Sequence, residues 1–526
     1  MANSNELEPK KPVYQDFGKL LQAHAQSRPN DRAVVCGSET LSWGTLLTRV
    51  NRTAQALTAL GIGKNDKVAI LSKKTTLANL EVLLGTLRAG ACVVPLSGMA
   101  SPETLALMIN DSDAHAIFLS EDAYETLAPV EANLERLLPG GKFGLDFHTP
   151  DWQDFTAWRD SYPDQEPTVF AGPQDGFNLI YSSGTTGVPK GILHNRALRF
   201  NQLDALSKIG YGPHAVSLVS TPLYSNTTLV PLLGVLGHGG LNVLMPRFDE
   251  ISFLELSQQQ KITHAMLVPV QYERLLANPA FDQYDLSSYQ LKLCTSAPLR
   301  AETKRRILDR WPGVLLEFYA LTEGGGVVAL NATQHPDKLA TVGQPFPGSD
   351  IRIIGENGEE LPRGSIGEVV GRSDVMMDGY YKREQATKDI YWQNSEGNLF
   401  LRSGDLGRFD PDGFLQLLDR KKDMIISGGF NIYAVDLETV LLSHEAVVDA
   451  AVIGIPSQRW GETPLGMVVL AEGTEQDPAE LCQWANEKLG KAQRLAEVVV
   501  RDNLPRNPIG KILKRELRAP YWQESS

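Results

Sequence analysis

The sequence predicts an α/β protein: a large N-terminal domain of β-sheets flanked by helices over residues 1–420, then a small α+β C-terminal domain over 421–526. Three observations predict it. Helical periodicity alternates with short β-branched runs from residue 14 to about 420, a pattern that buries sheets between helices. The texture then changes at a charged cluster near residue 420. Past the cluster, helix and strand patterns fill a stretch of roughly 100 residues, the size of a small domain.

The elements come in this order. "FGKLLQAHAQ" and "WGTLLTRVNRTAQALTAL" carry apolar residues at helical spacing. "KVAIL", "ACVVPL", "HAIFL", "GLNVLMP" and "HAMLVP" are brief β-rich runs bounded by Gly, Pro, Asn or Asp, as expected of buried strands. The most apolar stretch, Thr227 to Met245, is broken by Pro231, several glycines and His238, which predicts a core segment and no membrane span. "GFLQLLDRKKDMIISGGFNIY" sets the charged cluster between two apolar strands. Beyond it, "AVDLETVLLSHEAVVDAAVIGIP" reads as helix then strand and "DPAELCQWANEKLG" as helix. No repeat of fixed period and no low-complexity tract interrupts the pattern.

At 526 residues the chain is too long for one core. Lysine and arginine number 50 against 63 acidic residues, a net charge of −13. That balance argues against nucleic acid or an anionic membrane as partner, while leaving room for a local basic pocket. The four cysteines, Cys36, Cys92, Cys294 and Cys482, are dispersed and form no CxxC pair, which suits a reducing compartment. The N-terminal "MANSNELEPKK" has no apolar core of a secretory signal, and "QESS" is no peroxisomal address. A cytoplasmic location is expected, with a second copy of the chain the one protein partner to be considered.

"YSSGTTGVPKG", Tyr181 to Gly191, comes directly after the strand-like "FNLIY". Gly184 and Gly187 let amide N–H groups approach phosphate oxygens. Ser182, Ser183, Thr185 and Thr186 add donors, and Lys190 adds charge. A Walker A loop closes on Lys followed by Ser or Thr; here Pro189 precedes Lys190 and Gly191 comes after it. The loop is therefore a phosphate loop of another class, set against the blander reading of a flexible linker. In "EFYALTEGGG", Thr322 could bond a phosphate and Glu323 an oxygen-loving Mg²⁺, although such a pair alone more often opens a helix. In "RSGDLGRFDPDGF", Asp405 could accept from ribose hydroxyls, or simply mark a turn. Lys511 in "LPRNPIGKILKREL" lies between a Pro/Gly-rich loop and a basic helix; taken alone it reads as a solvated charge.

Together these segments resemble the adenylate-forming superfamily of acyl- and aryl-CoA synthetases, peptide-synthetase adenylation domains and luciferases. The resemblance runs from about residue 14 to 518, with "YSSGTTGVPKG", "TSAPL", "FYALTE", "SGDLGRFDPDGF", "DRKKDMIISGGFNIY" and "GKILKREL" in the family's order. It implies an ATP-dependent carboxylate–CoA ligase that forms an acyl-adenylate, releases pyrophosphate and then makes the thioester. By the same resemblance, Ser183 to Gly187 and Lys190 hold the β/γ-phosphates, Thr322 the α-phosphate and Glu323 the Mg²⁺. Ser296, Ala297 and Pro298 with Glu317, Phe318 and Tyr319 wall the adenine, and Asp405 and Arg420 bond the ribose. Lys511 matches the catalytic lysine, on a C-terminal domain that rotates about Lys422 to bring Gly428, Gly429 and Phe430 to a pantetheine tunnel. Tyr224, Ser225, Asn226, Ala320, Gly324, Gly325 and Gly326 fall at acyl-pocket positions, the glycine run leaving space for a ring.

Departures from the family narrow the branch. Ala320 replaces the glycine of Tyr-Gly-x-Thr-Glu, so its methyl faces the acyl pocket or its approach. Pro222-Leu223-Tyr224-Ser225 lacks the family's histidine, and Ile432 to Glu438 carries Ala434 and Asp436, a mild change. No aspartate stands at Ser225 or Asn226 to pair with an α-amine, which disfavours an amino acid substrate. With no carrier domain after residue 518, a freestanding CoA ligase for an aryl or short to medium acyl acid is the expectation. The alternative is an enzyme that loads an acyl, aryl or amino acid onto a separate carrier protein. A silent nucleotide sensor would lack Lys511 or Glu323; a kinase or ATPase would yield ADP; luciferase-like oxygenation is not separated by motif.

Overall fold

The computed structural model describes residues 13–182, 189–427, 430–490, 493–506 and 510–523. Among them the chain forms an eight-stranded, a nine-stranded and two five-stranded sheets. In the eight-stranded sheet, Lys67–Ser72 lies between Cys92–Ser97 and Ala114–Leu119, all parallel. Their interiors are buried on both faces, which is why "KVAIL" and its companions read as continuous apolar runs. Gly176–Ser182 joins Cys92–Ser97 in parallel and then turns into an antiparallel hairpin with Lys190–Asn195.

The helix Leu77–Arg88 sits between the sheet and the helix Trp43–Ala59, and its sequence explains its ends and its fit. A capping box of Thr76 and Asn79 starts it, occupying orphan N–H groups of the first turn. Gly85 faces Thr53, whose Cγ2 would lie 2.4 Å from any added Cβ. The glycine thus sets the close approach of the two helices, and a methyl there would overpack the contact by about 1–3 kcal/mol.

The nine-stranded sheet runs Val216–Val219, His264–Leu267, Leu291–Cys294 and Val314–Leu321 in parallel, with Leu241–Leu244 on the other side of the first. It reverses at the hairpin of Val314–Leu321 with Gly324–Asn331. The apolar stretch from Thr227 is the helix Asn226–His238 and the strand Leu241–Leu244, separated by Gly239 at φ +78°, as the core reading expects. No helix among the described residues is long and apolar enough to cross a membrane.

A five-stranded antiparallel sheet ends on Leu415–Arg420, paired with Leu399–Phe409. After a turn at 421–423 the C-terminal sheet begins with Ile425–Ser427, centred on the long hairpin of Val447–Ser457 with Gly461–Leu470. The helices Ala434–Leu442 and Pro478–Lys488 contribute to a separate small core with Ile425, Val452 and Val468. Two bland local readings differ from the structure. Asp405 lies on a strand, opposite Arg420, where the sequence also admitted a turn. Thr322 and Glu323 form the tip of a hairpin, where they also admitted a helix start.

Candidate active site

The carboxyl ends of parallel strands are where an open α/β sheet leaves room for ligands. Here the residues after Cys294 and Leu321 and the hairpin that begins with Gly176–Ser182 face one cavity of about 1490 Å³. Lys511 and Lys422 border the same space.

Lys190 pairs in register with Ser182 across the hairpin mouth, so the two strands carry the phosphate loop between them. Ser183, Gly184, Thr185, Thr186 and Gly187 lie outside the described residues. The Lys190 ammonium sits 5.1 Å from the centre of the Tyr380 ring. Tyr380 in turn donates its hydroxyl to Glu323 Oε1 at 2.8 Å. Tyr380 is thus a tie between the loop lysine and the expected metal carboxylate, and nothing in "DGYYKR" marked it in the sequence.

Thr322 and Glu323 occupy the two-residue tip between the paired Leu321 and Gly324. The tip is held from below: His194 Nε2 meets the Thr322 carbonyl at 2.7 Å. Burial and the neighbouring Arg199 cation pull the His194 pKa down to about 3, so the ring is neutral and donates through Nε2. Gly324 and Gly325 sit at φ +88° and +84°, conformations a side chain adopts only with strain.

Those glycines depart from the expectation that they open the acyl pocket. A Cβ on Gly324 would lie 2.0 Å from the Val375 carbonyl oxygen, and one on Gly326 would lie 2.0 Å from Ile351 Cδ1. Gly325 faces Gly371 and Leu401, and none of the three borders the cavity. The glycine run lets the hairpin pack against the neighbouring sheet; it leaves no space for a ring. Gly324→Ala is therefore expected to shift the Thr322–Glu323 tip, with strain of about 1–3 kcal/mol. A lowered Tm together with slowed pyrophosphate release would register it, Gly325→Ala being milder.

Strand alternation sorts the expected adenine wall. On Val314–Leu321, Phe318 and Ala320 face the cavity, whereas Glu317 and Tyr319 do not. Glu317, 2% exposed, forms an ion pair with buried Lys304 and accepts from the Leu299 N–H at 3.0 Å. Its expected place in the wall is corrected to a support beneath it. Ser296 reaches the cavity at φ +80°, its hydroxyl 2.6 Å from that of Thr227. Ala297 and Pro298 do not border the cavity, and Pro298 is exposed.

Arg420 borders the cavity, and Asp405 does not. The Asp405 carboxylate takes the Arg420 Nε–H at 2.8 Å and the Tyr319 hydroxyl at 2.8 Å. Each oxygen keeps a lone pair for a further donor. Lys511 is half-buried by the docking of the C-terminal unit, and desolvation together with Arg420 pulls its ammonium down to about 8. Where that unit meets the larger one, Asp449 bonds Arg506 on its own side at 2.5 Å and Arg300 across the boundary at 3.3 Å. Tyr224, Ser225, Asn226 and Ala320 all border the cavity. Phe430 stands 62% exposed and away from it, and Gly428 and Gly429 lie outside the described residues.

The sequence pattern gave no sign of one group. Arg199 and His194 form a buried network with Asn178 and Asn226. Asn178 and His194 come from two paired strands and Arg199 and Asn226 from two helices, so only the tertiary fold brings these four side chains together.

The chain is similar to known proteins over nearly its whole length. The AMP-binding enzyme family matches residues 21–381, and the AMP-binding enzyme C-terminal domain matches 436–511. A feruloyl-CoA synthase from Amycolatopsis sp is 33% identical over 510 residues, covering 96% of this chain and 99% of that one. The fatty acid–[acyl-carrier-protein] ligase ScoC of Streptomyces coeruleorubidus is 29% identical over 525 residues, covering 98% of each. The ATP-bound crystal structure of MatB from Rhodopseudomonas palustris overlays with a TM-score of 0.85 at 27% identity, over 97% of this chain and 100% of that one. The apo form of the same protein overlays at 0.74, over 97% and 99%. Two matching family domains, near full-length similarity and a shared fold lead to a single assignment: the chain belongs to the AMP-binding enzyme family.

Proposed function

We propose that this enzyme activates a carboxylic acid, aryl or short to medium acyl, with ATP and transfers the acyl group to coenzyme A. In the first step a carboxylate oxygen attacks the α-phosphorus and the bond to pyrophosphate breaks. In the second, the thiol sulfur attacks the acyl carbon, the bond to AMP breaks, and the thiol proton passes to solvent. The observation that carries this reading is the meeting of Lys511 with Arg420, Thr322, Glu323 and Lys190 around one cavity. Both reactants of the first step are anions, so fixed positive charge and hydrogen-bond donors at the point of attack do most of the catalysis. Lys511 supplies charge at that point, Thr322 bonds the α-phosphate, and the loop with Lys190 steadies the departing pyrophosphate. Asp405 with Arg420 orients the ribose, and Ser296 and Phe318 flank the base.

Glu323 fits a magnesium ion by its chemistry. Tyr380 holds one carboxylate oxygen, and the other makes no hydrogen bond among the described residues. Mg²⁺ binds through one or two carboxylates plus substrate phosphates, so the lack of a larger ligand cluster among the described residues does not weigh against it. When bound, the ion would neutralise charge on the phosphates.

We assign residues 421–526 to a mobile unit pivoting near Lys422. The better overlay on ATP-bound than on apo MatB supports an adenylation-ready arrangement here, as does the surface position of Phe430. Rotation would withdraw Lys511 and carry Gly428, Gly429 and Phe430 inward for thioester formation. Four free cysteines suit a reducing, cytoplasmic setting, and a homodimer is the assembly to look for.

The test is product identity across a panel of carboxylic acids. Acid-dependent release of AMP and pyrophosphate, with thioester formed only when coenzyme A is present, is the expected outcome; ADP and phosphate would overturn the reading. The second reading, transfer to a carrier-protein thiol, is favoured by the likeness to ScoC. It predicts pyrophosphate release that coenzyme A leaves unaltered.

A further inference from the structure

Arg199, on the helix Arg196–Ser207, is 3% exposed, and its hydrogen bonds go to neutral groups. Nε donates to Asn178 Oδ1, one terminal nitrogen to Gln202 Oε1 and the other to Asn226 Oδ1, each at 2.8 Å. The last nitrogen also donates to His194 Nδ1 at 3.1 Å. Burial pulls the guanidinium down to about 9, with no carboxylate offsetting it. A cation buried without an anion is costly, so its position calls for an explanation.

A guanidinium donates and never accepts. Asn226 must therefore present its oxygen to Arg199, and its Nδ2 is left facing away. That nitrogen makes no hydrogen bond among the described residues, and Asn226 borders the cavity. It is also the first residue of the helix Asn226–His238, whose N-terminus adds partial positive charge. Two residues earlier, Tyr224 also borders the cavity, with its hydroxyl buried beside the Ser97 side chain. The wall thus offers a fixed donor with no partner of its own among the described residues, an arrangement unsuited to a plain hydrocarbon chain.

We infer that the acid carries, besides the carboxylate that reacts, an oxygen acceptor that takes a hydrogen bond from Asn226 Nδ2. Arg199 is the positioning residue that locks the amide in that orientation. The substrate class is then an oxygenated acid bearing an ether, hydroxyl, carbonyl or second carboxylate oxygen. This rests on the ligase reading above, and the test separates the two.

The experiment measures kcat/KM for pyrophosphate release with para-methoxy-, para-hydroxy- and para-ethyl-phenylpropenoate, and with a terminal keto acid against its methylene counterpart. The native enzyme is expected to favour the oxygenated member of each pair by about tenfold or more. Asn226→Leu should bring the ratios close to one, chiefly by loss on the oxygenated members. Asn226→Asp, which still pairs with Arg199 but offers the cavity an acceptor, should lose the methoxy acid and keep the hydroxy acid, which can donate. Arg199→Met should also collapse the ratios, and because it also frees His194 beneath Thr322 it should lower kcat for every acid. No preference in the native enzyme, or equal loss on both members of each pair in Asn226→Leu, overturns the inference and assigns Asn226 to the reacting carboxylate or to the fold. Release of pyrophosphate with none of these or any other acid overturns the ligase reading itself.

Discussion

Lys511→Ala is expected to lower acyl-adenylate formation by about 10²–10³-fold or more, the cost of removing one preorganised charge from the point of attack. Thioester formation from supplied acyl-AMP should survive, because under the proposed rotation the lysine has left the site by then. Single-turnover assays of each half-reaction measure the split; equal loss in both would remove Lys511 from its assigned role. The same lysine sets a pH limb. Burial and Arg420 pull its ammonium down to about 8, and only the protonated form supplies charge. Adenylation kcat/KM for ATP should therefore be full below that value and fall as pH rises through it. Lys511→Arg, charged throughout, should shift the limb upward even where the rate is reduced.

The second large effect is on stability. Glu317→Ala leaves the Lys304 ammonium buried without its carboxylate, and breaking one side of a buried pair costs about 3–5 kcal/mol. Two carbonyls would remain to Lys304, from Leu339 at 2.8 Å and Thr341 at 3.0 Å, but neither carries charge. Urea unfolding should show a midpoint lowered in the transition of the larger unit, with the slope unchanged. Replacing both partners, Glu317→Leu with Lys304→Met, should recover much of the loss. A change confined to KM for ATP would return Glu317 to the adenine wall.

Much of the fold was legible because buried parallel strands and amphipathic helices write their period into the chain. "KVAIL" and "HAIFL" became neighbours in one sheet, and the charged cluster near residue 420 falls between two sheets. Among the site residues, motif order pointed to Lys190, Thr322, Glu323, Arg420 and Lys511, which all border one cavity. Facing was not legible. Glu317 and Tyr319 look equivalent to Phe318 until the strand's alternation turns them away. The glycines after Glu323 read as open space, and the volume they vacate is taken by Val375 and Ile351 from distant sequence. Arg199 is invisible for the same reason. Its meaning comes from Asn178 and Asn226, which only the tertiary fold brings to it.

The Asp449 carboxylate that touches Arg300 across the two units has a bearing on timing. At 3.3 Å, with the Arg300 side chain 45% exposed, such a contact is worth about 0–1 kcal/mol, comparable to thermal energy. Under the proposed rotation it would be a weak catch, one of several contacts between the units, favouring an orientation without holding it. On the same proposal, the switch between half-reactions would then follow the departure of pyrophosphate and the arrival of the thiol. Raising the salt concentration should speed the exchange of the two arrangements while leaving the chemistry within each untouched.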